Sequence, residues 1–484
     1  VNLNKGTGYL ILGWALVLGS GYVYILWLTH YWEPETYGLY TLTMSVLYWI
    51  EIAVVNGVPY ALQKFFPQES SRSSGIFKYA ARLQTVIVIT LFLLTFFTAP
   101  LIAAALRDPR LAFYFRVASV DILFFGFYHL LMAYQNGQHH FGRQAVLLVV
   151  YAVSKMGFGI GLVALTHSIV GALIGNIAAS ITAFVAGLCL IRRTPSLPWE
   201  HGKEFIRFML PASAYFWILN LFFFLDLWFV KYYCDLETAA CYSIAQMISK
   251  IPFFLFSGLS SVLLPILSFH FASESSLDAR RTIREAVRLL WLLTVPVAVL
   301  FTVLNGPILE LLFRPEYGSA APVFALLTWS IVFLSFLSLF TTVLNAYHKP
   351  GLSLGWTAGA LILSVVLNRI WVPQFGARGA AYAMLVSTGF GAGALSIIVF
   401  DRFQCLMPVS SFIKISLSGF VLVPLAGIVR PRGAVLLVFL FVAVALYGAL
   451  LVALKEMKWQ EIREIAGLGA ASNQKIPDQA PPGC

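Results

Sequence analysis

Residues 433–454 read GAVLLVFLFVAVALYGALLVAL, an uncharged run held between Arg432 and Lys455. About 20 apolar residues in a helix cross the hydrocarbon core of a bilayer. Backbone polar groups in lipid must be satisfied internally, so such a run is a helix. The same reading applies to thirteen more stretches: 8–28, 37–62, 80–106, 111–134, 144–165, 169–191, 205–232, 239–269, 287–313, 322–347, 352–372, 379–400 and 411–429. The chain therefore reads as an all-α, polytopic membrane protein with about 14 transmembrane helices. Of its residues, 60% are hydrophobic and 11% charged, and the mean hydropathy is +0.83. That is too little charge to clothe a soluble domain. No stretch shows the alternating polarity of a barrel strand. The first run outlasts a signal-peptide core and no A-x-A-like site follows it, so it is expected to be a retained helix.

Charge placement gives an orientation. With the amino end cytoplasmic, 21 of the 32 Lys and Arg residues fall on inner loops and nine on the outer side or at outer span ends. Two, Lys155 and Lys250, remain inside spans. The positive-inside rule then expects both termini in the cytoplasm. The net charge of +11 becomes a membrane-surface property, with no compact basic domain for nucleic acid.

The chain also repeats itself. ETYGLYTL at 35–42 returns as ETAACYSI at 237–244. Pro100-Leu101-Ile102 with Leu106-Arg107 returns as Pro307-Ile308-Leu309 with Phe313-Arg314. Ala133-Tyr134 matches Ala346-Tyr347, and Ile169-Val170-Gly171-Ala172 matches Ala377-Arg378-Gly379-Ala380. Six spans per repeat is an even number, so both halves enter the membrane from one side. The expectation is two six-helix lobes in a parallel pseudo-two-fold repeat with a path between them. The domains are an N-terminal lobe at 1–191, a cytoplasmic linker at 192–204, a C-terminal lobe at 205–400, an appended helix pair at 401–454 and a cytoplasmic tail at 455–484.

FLDLWFV at 224–230, YSIA at 242–245, Ile251-Pro252 and LLPILS at 263–268 resemble the oligosaccharide flippases of the polysaccharide-transporter family. So do YGLY at 37–40 and PQFGARGAA at 373–381. The family belongs to the multidrug/oligosaccharidyl-lipid/polysaccharide exporter superfamily. The resemblance implies a V-shaped, two-lobed bundle in a bacterial cytoplasmic (inner) membrane. It implies translocation of a polyprenyl-pyrophosphate-linked oligosaccharide by alternating access, for cell-surface polysaccharide synthesis. The implied partners are that lipid-linked oligosaccharide, membrane lipids, a coupling proton or sodium ion, and a polysaccharide polymerase. An ion-coupled multidrug extruder, a lipid II flippase and a membrane glycan polymerase remain as alternatives.

Ionisable residues at membrane depth are costly, about 2.5–3.5 kcal/mol each on insertion scales, and usually face a cavity or a partner. Here they are Glu51, Asp121, Lys155, Asp226, Lys250 and Arg369. On the transport reading Lys155, Lys250 and Arg369 are cavity cations for the pyrophosphate. Glu51, Asp121 and Asp226 are the ion-coupling candidates. Lys155 and Arg369 stand 214 residues apart, close to the repeat offset, and are expected to face each other from the two lobes. The plainer alternative makes Asp121 with Lys155, and Asp226 with Lys250, neutralising pairs on adjacent helices.

Nothing points to an enzyme. The outer loops are short, the eight histidines form no H-E-x-x-H, and no Gly-rich phosphate loop is present. The five cysteines lack metal-ligand spacing, and Cys234 and Cys241 are read as free thiols before a disulfide. No cofactor and no metal is expected. Arg280, Arg284 and Arg288 at helical spacing suggest a segment lying on the inner leaflet, and 467–484 reads as disordered.

Overall fold

The computed structural model describes residues 3–68, 73–191, 202–273, 275–347, 349–429 and 431–457. Most of the expected linker and nearly all of the expected tail lie outside the described residues. The first lobe holds α1 (Leu3–Tyr31), α2 (Pro34–Val55), α3 (Val58–Gln68), α4 (Ser73–Ala105), α5 (Leu111–Gly137), α6 (Phe141–Thr166) and α7 (Ile169–Cys189). The second holds α8 (Gly202–Leu221), α9 (Leu225–Tyr233), α10 (Leu236–Ser249), α11 (Ile251–Ala272), α12 (Ser276–Val303), α13 (Asn305–Leu312), α14 (Ala321–Ala346), α15 (Pro350–Phe375) and α16 (Ala377–Phe403). Then follow α17 (Val409–Phe420), α18 (Leu422–Val429) and α19 (Ala434–Ala453). A 3-10 turn, Pro315–Ala320, leads into α14.

Among the described residues, twelve helices are long and apolar enough to cross a membrane, or thirteen if α8 and α9, bent by 45°, form one span. The expected eighth span, 239–269, falls on α10 and α11, which meet at Lys250. The second span is likewise broken, between α2 and α3. Both breaks restart on a proline near the helix start, Pro59 in α3 and Pro252 in α11. Proline suits the first turn of a helix, whose N–H groups lack intrahelical acceptors anyway. Pro100, Pro211, Pro296 and Pro373, by contrast, lie inside helices.

Each lobe has one central helix. α5 packs against α2, α3, α4, α6 and α7, and α14 packs against α10, α11, α12, α15 and α16. These are the fourth span of the first repeat and its counterpart in the second. α17, α18 and α19 pack on α12. Glu456, just beyond α19, anchors them by accepting from Arg288 Nε at 2.9 Å, with Lys414 Nζ 3.8 Å away. The lobes meet where α2 packs on α8 and α10, and α3 on α8. A Cβ on Gly38 would stand 2.6 Å from the Leu236 carbonyl oxygen, so only glycine allows α2 that close to the start of α10. The four described cysteines, Cys189, Cys234, Cys241 and Cys405, are free thiols.

Candidate functional site

A cavity of about 340 Å³ lies between the lobes. One wall comes from α1, α2 and α6, and the other from α10, the Lys250 junction and the start of α9 and of α11. The first wall is rich in tyrosine: Tyr22, Tyr24, Tyr37, Tyr40 and Tyr48. Two lysines enter it, Lys155 from one lobe and Lys250 from the other. Among the described residues no Asp or Glu lines it.

Lys155 sits in α6 and donates to the Tyr48 hydroxyl at 3.0 Å. Its ammonium also lies 5.3 Å from the Tyr48 ring centre and 5.6 Å from that of Tyr151, within cation–π range. Lys250 stands at the α10–α11 break. It donates to the Phe223 carbonyl at 3.3 Å and to Gln246 Oε1 at 3.2 Å, beside the rings of Phe223 and Phe224. Both lysines are half-buried and held by neutral groups. Neutral partners position both ammonium groups at the cavity surface, while Asp121 behind Lys155 and Asp226 behind Lys250 act on them through charge alone, so the lining itself presents positive charge to an anion.

The acids stand behind this surface. Glu51 of α2 and Asp121 of α5 are buried and near enough to feel each other's charge. Asn176 of α7 donates to Asp121 Oδ2. Among the described residues, neither Glu51 carboxylate oxygen nor Asp121 Oδ1 meets a hydrogen-bond partner. In the second lobe, Asp226 of α9 accepts from the Tyr242 hydroxyl at 3.0 Å, with Asn368 of α15 beside it. Asp226 Oδ1 and Asn368 Oδ1 are likewise buried without a hydrogen-bond partner among the described residues. Each lobe thus carries a buried Asp–Asn pairing with spare acceptor oxygens. Among the described residues no three His, Cys, Asp or Glu side chains cluster in the manner of a metal site.

Several sequence expectations change here. Neither acid–lysine couple closes into a salt bridge: each lysine and each aspartate has the other partners given above. Lys155 shares its cavity with Lys250 and not with Arg369. Arg369 of α15 is exposed and lines a separate cleft with Trp49 and Trp228. Tyr48, Asn176, Tyr242 and Asn368 escaped the sequence reading. Asn176 and Asn368, amides inside apolar spans, were the available signal.

The cavity is shut on the face that carries the α1–α2, α4–α5 and α9–α10 turns. Arg107 donates to the Tyr232 hydroxyl at 2.9 Å and covers its ring at 3.9 Å. Lys231 Nζ lies 3.8 Å from Asp108 Oδ2, and Tyr37 meets Tyr317 edge-on at 6.3 Å. Arg110 fixes Asp108 through Nε and Nη2, each at 3.0 Å, and reaches Glu35 at 3.0 Å. Burial pushes the Asp108 carboxyl up, but the hydrogen bonds and charge of Arg110, with Lys231 beyond, hold it below the usual range.

The family model for polysaccharide biosynthesis proteins matches residues 28–322, which hold most of both cavity walls. The chain belongs to that family. It is 21% identical over 291 residues to a probable low-salt glycan biosynthesis flippase, Agl15, of Haloferax volcanii, covering 57% of this chain and 59% of that protein. It is 26% identical over 164 residues to an uncharacterized membrane protein of Methanocaldococcus jannaschii, covering 34% of this chain and 31% of that one. The chain thus spans about three-fifths of the first of these curated relatives and a third of the second. Its fold is that of the lipid II flippase MurJ in an inward closed conformation, with TM-score 0.75 and 14% identity over 95% of this chain and 99% of that one. An inward-facing multidrug resistance MATE family transporter gives TM-score 0.70 and 14% identity, over 80% and 94%. The chain therefore has the two-lobed fold of those proteins, as the repeat implied.

Proposed function

We propose that this protein is a flippase, not an enzyme, that moves a polyprenyl-pyrophosphate-linked oligosaccharide across the cytoplasmic membrane by alternating access. The observation that carries the reading is the charge of the cavity lining: one lysine from each lobe and, among the described residues, no carboxylate. A pyrophosphate diester carries negative charge that two ammonium groups match through charge-assisted hydrogen bonds. A cationic drug would meet like charge in a medium less screening than water, which disfavours the multidrug alternative. The tyrosines offer hydroxyls and ring faces to the first sugars. Lys155 and Lys250 hold the phosphates, while Glu51, Asp121 and Asp226 take up the coupling proton or sodium ion on their unpartnered oxygens.

Binding between the lobes links anion and conformation. Two cations on opposite walls repel until an anion lies between them, so substrate favours approach of the lobes, and only this differential interaction shifts the equilibrium. The termini face is cytoplasmic on this reading. Single cysteines replacing Ser73 or Ser276 then label with an impermeant maleimide only in inverted vesicles, and those replacing Ser319 or Gln374 only in intact cells. Complementation tests the substrate: the chain restores surface glycan in a flippase-null host, and Lys155→Glu or Lys250→Glu abolishes rescue without loss of expression. Full rescue by both variants overturns the reading.

A further inference from the structure

Arg369 leads to a second cleft, of about 420 Å³, on the opposite side of α2 and α9 from the lysines. α2 turns Tyr40, Met44 and Tyr48 to the lysine cavity, and Val46, Trp49 and Ile50 to the cleft. The partition is thin. Ser45 lines the cavity, Trp228 lines the cleft, and Trp228 Nε1 donates to Ser45 Oγ at 2.9 Å. Trp49 stacks on Trp217 at 4.3 Å and meets Trp228 edge-on at 5.4 Å, which gives the cleft an aromatic wall.

Among the described residues Arg369 is the one charged residue lining this cleft. It has no ion pair or hydrogen-bond partner among the described residues. A guanidinium at membrane depth without a counter-ion calls for an anion, and its planar fork suits phosphate oxygens. The rest of the lining is apolar or aromatic. The site therefore fits an amphiphile with a phosphate at one end and a hydrocarbon chain at the other.

We propose that this cleft is a second station for the lipid-linked substrate, where Arg369 holds the phosphate and the aromatic wall holds the isoprenoid chain next to it. The inference rests on the flippase reading. Two observations favour the transported lipid over bulk phospholipid. The cleft is walled by both lobes, α2 and α4 on one side and α9 and α15 on the other, so lobe motion reshapes it. It also shares the Ser45–Trp228 partition with the lysine cavity, which sets the two sites side by side across the α2–α9 seam. The substrate's phosphate then passes from the lysines to Arg369 and stays paired on the way.

The test uses the full chain in phosphatidylcholine nanodiscs and a farnesyl pyrophosphate analogue with a photoreactive group on its tail, with labelled residues read by mass spectrometry. α1 lines only the lysine cavity and α4 only the cleft, so labels on Tyr22 and on Ile102 report the two sites separately. The wild type labels at both. Arg369→Ala lowers labelling in α4 about tenfold or more and leaves α1 labelling unchanged, because one charge-assisted phosphate contact is lost. Arg369→Lys keeps part of the α4 labelling, and excess phosphatidylglycerol leaves it in place. Labelling in α4 that ignores Arg369→Ala, or that phosphatidylglycerol erases, overturns the second station. Labelling at α1 alone overturns it and leaves the flippase reading standing. Labelling at neither site in monodisperse protein overturns both.

Discussion

Asp108 of the α4–α5 turn and Lys231 of α9 join the two lobes, with Nζ 3.8 Å from Oδ2 and both residues buried. Their environments are unequal. Asp108 keeps Arg110 when Lys231 is removed, whereas no other salt bridge serves Lys231 among the described residues. Asp108→Ala should therefore destabilise the closed far face by about 3 kcal/mol, the low end for breaking a buried ion pair, since Asp235 still acts on Lys231 through charge. Lys231→Ala should cost only about 1 kcal/mol. A thiol at Ser243→Cys, inside the lysine cavity, reports the difference: maleimide from the far side should label it faster in Asp108→Ala than in Lys231→Ala.

The same pair fixes a pH expectation. Because the Asp108 carboxyl is held below its usual range, its contribution is complete above the unfolded value of about 3.9 and is lost only as pH falls further, through the lowered folded value. Far-face labelling of Ser243→Cys should thus be flat between pH 5 and pH 8 as far as this ion pair is concerned. Retaining Asp108 while varying pH, against Asp108→Asn as reference, isolates its part.

Gly38→Ala should act on the same closure by steric means. The added methyl meets the Leu236 carbonyl, a backbone atom that cannot swing aside, so α2 and α10 must separate. Overpacking of this kind costs about 1–3 kcal/mol. The expected result is faster far-side labelling of the cavity thiol and slower translocation, with expression unchanged.

Asp226 and Lys250 keep separate partners, Tyr242 for the acid and Phe223 with Gln246 for the lysine. Asp226→Asn with Lys250→Gln should therefore translocate no better than the worse single variant. Recovery in the double variant would return both to a neutralising role.

Glu456 carries two cations, Arg288 of α12 and Lys414 of α17, with its own side chain almost fully buried. Glu456→Ala leaves both facing an emptied site and should lower stability by about 1–3 kcal/mol. Thermal unfolding in detergent should shift down, and protease should nick sooner between α16 and α17.

Much of this architecture was legible in the chain. The expected spans 111–134 and 169–191 correspond to α5, Leu111–Gly137, and α7, Ile169–Cys189, because length and apolarity suffice where one unbroken helix crosses. They fail where a span breaks. Hydropathy is blind to a break at Asn56-Gly57, at Lys250 or at Leu304, since apolar residues continue on both sides. The repeat gave the lobes and not the cavity. An offset of 214 residues relates Lys155 to Arg369 by helix, though Arg369 lies about a turn nearer its helix end, and cavity membership depends on which side of α2 and α9 a residue faces. Only the packed structure puts Lys155 with Lys250.

The most direct measurement is translocation in proteoliposomes containing a fluorescent polyprenyl-pyrophosphate oligosaccharide, with the exposed leaflet read by a membrane-impermeant quencher. Protein-dependent loss of protection is expected for the wild type, and none for Lys155→Glu with Lys250→Glu reconstituted to the same level. Equal rates in the two, or transport of a cationic drug by the wild type while the glycolipid stays protected, would contradict the flippase reading.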